Sequence, residues 1–315
     1  MYTRMAPLIN WDKMNTTKLL APVVLFTYNR PKHTQHTLDA LSANTLATKT
    51  DVIVYSDAPK SIQDIPVVEE IRKLILRYTP AFKSLSIQHR PYNFGLSRSI
   101  IDGITEVFQT HDRVIVLEDD LVTSPHFLTY MNDGLTLYQD TPLVGSIHGY
   151  MYPTDTPLSD TFFVRGGDCW GWGTWKHVWT SFEQNGKVLL QTLKSQNLTR
   201  AFDLNGAYPF TTMLNNQIAE KIQSWAIRWH AHLFIHQHVT LYPRISLVQN
   251  IGFDHSGTSQ DKSTQFEISL ATSPPVLTPL DPIDNPKASE AIASFWRQTR
   301  PKSIWKLAYE FLHAI

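Results

Sequence analysis

Three consecutive acids, Glu118, Asp119 and Asp120, end an otherwise apolar run, VIVLEDDL (114–121). Adjacent carboxylates at a strand end repel one another unless a cation or hydrogen-bond donors balance them. A divalent cation, Mn2+ or Mg2+, bridging a diphosphate would balance them and would stabilise a leaving nucleoside diphosphate. A solvated acidic turn is the plain alternative, and the apolar strand ahead of the triplet argues against it. Asp57 closes a second apolar run, DVIVYSD (51–57). It either accepts a hydrogen bond from a base or ribose or caps the Ala58-Pro59 turn. Arg30, in YNRP (28–31), carries the planar fork that pairs with phosphate. As a cation at a helix start it opposes the helix dipole, which disfavours a purely structural role. In NFGLSR (93–98), Asn93, Gly95 and Arg98 form a further strand-to-helix junction. Glycine there lets the backbone approach a ligand, and Arg98, one turn in, reaches a phosphate or carboxylate.

These residues need elements to hold them. PVVLFTYN (22–29) is a short run of β-branched and aromatic residues and predicts a buried strand. Pro31 suits a first helical position, and Leu38, Ala40 and Leu41 give a helical face. DVIVYSD predicts a second strand. Val67, Ile71, Leu74 and Ile75 then repeat at helical spacing, and SLSIQHR (84–90) alternates like a strand. Leu96, Ile100, Ile104 and Val107 return to helical spacing before the strand that ends in the acids. Four strands alternating with three helices between residues 22 and 120 predict βαβ units and a mostly parallel sheet, an α/β fold. Ligands of such sheets sit outside the carboxyl ends of the strands. The clusters Thr27/Asn29/Arg30, Ser56/Asp57 and Glu118/Asp119/Asp120 therefore converge on one rim.

The rhythm changes after Pro125. A helix to about Tyr138 and a strand in LVGSIHG (143–149) precede less regular sequence rich in tryptophan. From about Thr272 the chain is Pro-rich and reads as a wrapping segment or an extended linker, followed by a helical stretch broken at Pro301. The expected organisation is a leader (1–20), a half suited to binding a nucleotide (21–122), a second half of the same domain (123–270), and a linker with an amphipathic helix (271–315).

Composition narrows the partners. Lys+Arg and Asp+Glu both number 28 among 315 residues, so no basic excess points to nucleic acid. The single cysteine, Cys169, excludes an intrachain disulfide and suits a reducing compartment, the cytoplasm. No run is apolar enough to span a bilayer, and the leader lacks the apolar core of a signal peptide.

FTYNRP, YSD, NFGLSRS and VLEDDL, in this order, resemble the nucleotide-binding half of GT-A-fold glycosyltransferases. The likeness is to a bacterial family-two-like, haemolytic-protein-like group, and more distantly to the N-acetylglucosaminyltransferase of N-glycan synthesis. DCWGWGTW (168–175), KIQSWAIRW (221–229) and NIGFDHSGTS (250–259) extend the resemblance over about residues 20 to 260. It implies that Asp57 contacts the base, Asp119 the ribose and Asp120 the metal, with Arg30 and Arg98 near the phosphates. It also implies sugar transfer with inversion, to a glycan or lipid-linked acceptor of a bacterial surface polysaccharide.

The chain departs from that pattern at two positions. Gln223 stands where relatives often carry Asp, and Ser259 where they carry His. The candidates for a general base are then Asp168, beside the Trp block, and Glu220, about one helical turn before Gln223. Asp168 alternatively fixes a Gly-rich loop. His255 is the candidate replacement metal ligand, or else an exposed loop histidine. Trp170, Trp172 and Trp225 are candidates for stacking on a sugar ring, with core packing as the alternative for some of them. Gly171 and Gly173 predict a loop with close packing there, not a regular helix. The terminal helix, with Lys302 and Lys306 beside an apolar side, either docks on the protein's own core or lies peripherally on an anionic membrane. Two rival readings remain: a sugar-phosphate nucleotidyltransferase, whose Gly-rich basic signature is replaced here by TYNRPKH, and a transferase-like binding module without turnover.

Overall fold

The computed structural model of the protein describes residues 19–254 and 264–299. The leader to residue 18, His255, Ser259 and the stretch from residue 300 lie outside them. β1 (Val23–Thr27) is buried at all five positions, as a parallel strand covered on both faces should be. α1 (Pro31–Ser42) begins on its proline. β2 (Asp51–Ser56), α2 (Ile65–Leu76), β3 (Ser84–His89), α3 (Leu96–Val107) and β4 (Arg113–Glu118) complete the expected alternation. β1 pairs in parallel with β2 and β4, and β2 with β3. Thr27 lies level with Ser56, Ser56 with His89, and Phe26 with Glu118. The strand ends therefore finish together and form the expected rim.

The second half extends the same sheet. After β5 (Leu121–Thr123) come α4 (Phe127–Leu137), β6 (Val144–His148), β7 (Thr161–Arg165) and β8 (Trp172–Trp175). Five helices follow: α5 (Lys176–Trp179), α6 (Gly186–Ser195), α7 (Thr199–Phe202), α8 (Phe210–Ile218) and α9 (Ala226–Ile235). β9 (Val239–Pro243), β10 (Val248–Asn250) and α10 (Pro286–Thr299) close the described chain. The main sheet runs β3-β2-β1-β4-β8-β6-β9-β7, with β5 and β10 forming a separate ladder. Its β4–β8, β8–β6 and β9–β7 pairs are antiparallel and the others parallel. The fold is thus α/β with a mostly parallel central sheet. α3 packs on β1, α4 on β6 and β8, and α10 on β7.

One expectation is corrected in this region. The WGTW segment is not a loop but strand β8, wedged between β4 and β6. A Cβ on Gly173 would come within 2.8 Å of the Val114 carbonyl, so glycine there permits close strand approach rather than a turn. The Pro-rich segment wraps the core as expected: Leu280 N donates to the Tyr138 hydroxyl at 3.1 Å, and Asn285 N to Phe163 O at 2.8 Å. α10 buries Ile292, Phe295 and Trp296, so this part of the terminal stretch docks on the protein itself. Among the described residues no helix is long and apolar enough to cross a membrane.

Candidate functional site

The N-cap of α1 is Arg30, which places its guanidinium beside the end of β4. Nη2 of Arg30 contacts Asp119 Oδ1, and Nη1 lies 2.9 Å from Asp120 Oδ2. One fork thus bridges two acids, which offsets the unfavourable dipole at the helix start. Burial disfavours the Arg30 charge, but the attraction of Asp119 and Asp120 outweighs it and holds the pKa above the ordinary arginine value. Thr37, one helical turn beyond His33, donates its hydroxyl to the Asp119 carbonyl at 2.9 Å. Glu118 is only 7% exposed. Burial first, then the Asp120 charge, pushes its carboxyl well above the usual range, and its Oε1 has no hydrogen-bond partner. Burial also raises Asp119, against the pull of Arg30.

The chain after β10 closes this rim from the other side. β10 pairs antiparallel with β5, setting Asn250 opposite Leu121. Ile251 N donates to Asp120 O at 2.9 Å, and Gly252 N to Asn250 Oδ1 at 2.7 Å. A Cβ on Gly252 would collide with the Asp120 carboxylate. Asp254 Oδ2 then reaches His33 Nε2 at 3.2 Å. His33, Thr37, Asn250, Gly252 and Asp254 were not singled out from the sequence. The available signal was the run of buried polar residues His33, Thr34 and Thr37 on α1, where an amphipathic helix would carry apolar ones.

Asp57 organises the other end of the rim. Its carboxylate accepts from Ala58 N, Phe94 N and Gly95 N, each at 2.9 Å, so the turn-capping role is present. Asn93 Nδ2 donates to Ala58 O at 2.8 Å, tying the same two loops. Thr27 is buried and its Oγ1 has no hydrogen-bond partner, whereas Asn29 is exposed. Arg98 does not join Arg30 at the acids. It is exposed, pairs with Asp102 at 3.1 Å, and lies over the Phe94 ring at 4.4 Å, on the Asp57 side.

Asp168 accepts hydrogen bonds from the Tyr152 hydroxyl at 2.7 Å and from Cys169 N at 2.8 Å. The second is the loop-fixing role. The Cys169 thiol is pushed well up by burial, then by Asp168, Glu118 and Asp120. Asp168 also borders a small cleft, lined in part by Tyr152, Arg165, Phe210, His230 and Trp296.

Three sequence expectations meet a different geometry. Trp172 and Trp225 are fully buried and stack on each other at 5.4 Å, so neither presents a face to a sugar. Trp170 is 5% exposed and packs against Tyr150, Phe253 and Phe266. All three belong to the core: Trp172 lies on strand β8, Trp225 at the start of α9 packs against it, and Trp170 sits among other aromatic rings. Glu220 is not one helical turn before Gln223. α8 stops at Ile218, and Glu220 is an exposed residue with φ 57°.

No three His, Cys, Asp or Glu side chains are preassembled to hold a metal among the described residues. No protein-family model matches the chain, and no curated protein matches it. Among solved structures, it is similar to the mannosyltransferase PcManGT from Pyrobaculum calidifontis in complex with GDP-Man and Mn2+. That likeness has a TM-score of 0.37 and 12% identity, over 69% of each chain. It is also similar to TarS from S. aureus, with a TM-score of 0.31 and 16% identity, over 44% of this chain. The match spans 23% of the TarS chain.

Proposed function

We propose that this protein is an inverting, divalent-metal-dependent glycosyltransferase of GT-A type that uses a nucleoside-diphosphate sugar, a UDP-sugar being favoured. The observation that carries the reading is the bridge from Arg30 to Asp119 and Asp120 at the carboxyl ends of parallel strands. It puts a phosphate-matching fork and cation-matching carboxylates at the one place where such sheets bind ligands.

The donor set fits Mn2+ or Mg2+. It is all oxygen, it includes an unpartnered buried Glu118 oxygen, and Gly252 keeps a side chain out of the space beside Asp120. Such ions are commonly held by one or two carboxylates plus phosphates and water, so a full protein cage is not required. Asp120 is the principal candidate ligand, with Asp119 toward the ribose and Asp57 toward the base. When bound, the ion would neutralise charge developing on the departing diphosphate.

The chain's own groups supply the rest. Arg30 orients the diphosphate. The Asp57-tied loops around Asn93 and Gly95 shape the base end. Asp168, at the cleft, takes the proton from an acceptor hydroxyl, with Tyr152 holding the carboxylate in place. Residues 21–122 then form the donor half and 123–270 the acceptor half. The acceptor is a glycan or lipid-linked hydroxyl of surface-polysaccharide synthesis. Gln223, and the exposed turn that holds Glu220, favour one competing reading: a module that binds donor or glycan without turnover.

Calorimetry with UDP, GDP, CDP and dTDP, each with Mn2+ and again with EDTA, tests the proposal. Tight, metal-dependent binding of one diphosphate is the expected result. Binding of none under either condition would remove the donor site and the function with it.

A further inference from the structure

Arg30 occupies one oxygen of each carboxylate that a divalent cation at this rim would use. Its fork holds Asp119 Oδ1 and Asp120 Oδ2 together, and a dication on these carboxylates would sit against the guanidinium's positive charge. An independent observation points to a further ligand here: Glu118 Oε1, on a side chain only 7% exposed, has no hydrogen-bond partner. The space beside Asp120 Oδ2 is also kept clear of a Cβ by Gly252.

We propose that Arg30 is an internal counter-ion that couples nucleotide and metal binding. A nucleoside diphosphate draws the guanidinium off Asp119 and Asp120, and the cation takes the carboxylates it leaves. This rests on the donor reading above.

The energetics require the two events to be linked. Two buried carboxylates left without a partner are strongly unfavourable, so Arg30 does not leave before another cation is at hand. A dication arriving alone would displace a well-paired guanidinium and leave it close to a second positive charge. A diphosphate removes that obstacle, because it offers the fork a bidentate partner and adds negative charge to the rim. His33 and Asp254 stand next to this exchange, 3.2 Å apart. By linkage, the factor by which diphosphate tightens the metal equals the factor by which metal tightens diphosphate.

The test is Mn2+ binding to the full chain, read from the electron-paramagnetic signal of the free aqua ion, without and with saturating UDP, GDP, CDP or dTDP. For the unaltered protein, Mn2+ alone should bind weakly, and one diphosphate should tighten it on the order of tenfold or more. In Arg30→Gln, Mn2+ alone should bind on the order of tenfold tighter than in the unaltered protein, and the diphosphate effect should shrink. Arg30→Lys, charged but without a fork, should fall between. Folded Arg30→Gln that binds Mn2+ no tighter than the unaltered protein overturns the proposal. If that variant does not fold, Arg30→Lys decides, and no gain in its Mn2+ affinity overturns the proposal equally. A gain in Arg30→Gln with no diphosphate bound by either protein supports the counter-ion role and removes the donor reading instead.

Discussion

Oδ2 of Asp57 accepts the backbone N–H of Gly95 at 2.9 Å, so the residue after β2 holds the N-cap of α3 in place. Its other oxygen accepts from Phe94 and Ala58, and one buried carboxylate thereby joins two loops at a helix N-terminus, where its charge is favoured. Gly95 has φ 70° and a Cβ there would meet nothing within 4 Å. The glycine serves the backbone angle, leaving open space at the helix start.

Asp57→Ala strands three backbone N–H groups and should cost about 2 to 3 kcal/mol in urea unfolding. Asp57→Asn keeps one acceptor oxygen and should cost less. Gly95→Ala should cost about 1 to 3 kcal/mol, because φ 70° with ψ 160° is a conformation essentially reserved for glycine. An Asp57→Ala protein as stable as the unaltered one would mean the loops are held elsewhere.

Gly252→Ala tests the contact between the chain after β10 and the acids. The added methyl meets the mobile end of Asp120 rather than backbone. The carboxylate should therefore swing away while the fold persists. Displacing a supporting contact of this kind typically costs 10- to 100-fold in metal affinity, so metal-dependent diphosphate binding should weaken by about tenfold or more. Unchanged affinity in calorimetry would show that Asp120 is not the ligand.

The parallel half was legible because its signals are local. Each strand is a short apolar run, each helix has its own spacing, and Pro31 and Gly95 mark two helix starts. The rim followed from topology, since parallel strands must end on the same side. The rest depends on contacts distant in sequence. Trp172 to Trp175 carry a strand between β4 and β6 that no local pattern separates from a Gly-rich loop. The pairing of β10 with β5, which delivers Gly252 and Asp254 to the acids, rests on three residues per strand. Glu220 was misplaced for a related reason: spacing arguments assume a continuing helix, and nothing in NNQIAEKIQSW announces the left-handed turn that ends it.

Two histidines, His232 fully buried and His230 half-buried, set an acid limit on stability. Burial pushes His230 down to about 4 and His232 down to about 3, from an ordinary value of 6.5. His236 and His238 add to the shift of His232, and Ser181 and the Glu183 backbone lie against its ring. Both folded values lie below the unfolded one. The unfolded chain therefore binds protons that the folded chain refuses, and stability present above about pH 6.5 is lost as pH falls. Each histidine contributes a slope of up to about 1.4 kcal/mol per pH unit. Glu118, with its raised pKa, acts in the opposite sense, so the informative quantity is a difference. Urea midpoints at pH 7, 6 and 5 should fall less steeply for His232→Asn than for the unaltered protein. Parallel falls would acquit this histidine.

The two base candidates separate by substitution. Asp168 is held by the Tyr152 hydroxyl and its own loop, beside the cleft, whereas Glu220 sits in an exposed turn. If Asp168 takes the acceptor proton, Asp168→Asn should lower kcat by about 10²- to 10⁴-fold and leave metal-dependent diphosphate binding intact. Glu220→Gln should change neither. Tyr152→Phe removes one hydrogen bond to the carboxylate and should lower kcat by a smaller factor, since the base remains but is less firmly oriented. Transfer of sugar to water or acceptor, followed by chromatography of the released diphosphate, reads all three. Full activity in Asp168→Asn would dismiss it as the base. Diphosphate binding with no release by the unaltered protein would instead favour the module without turnover, because Gln223 would then mark a lost catalytic group rather than a relocated one.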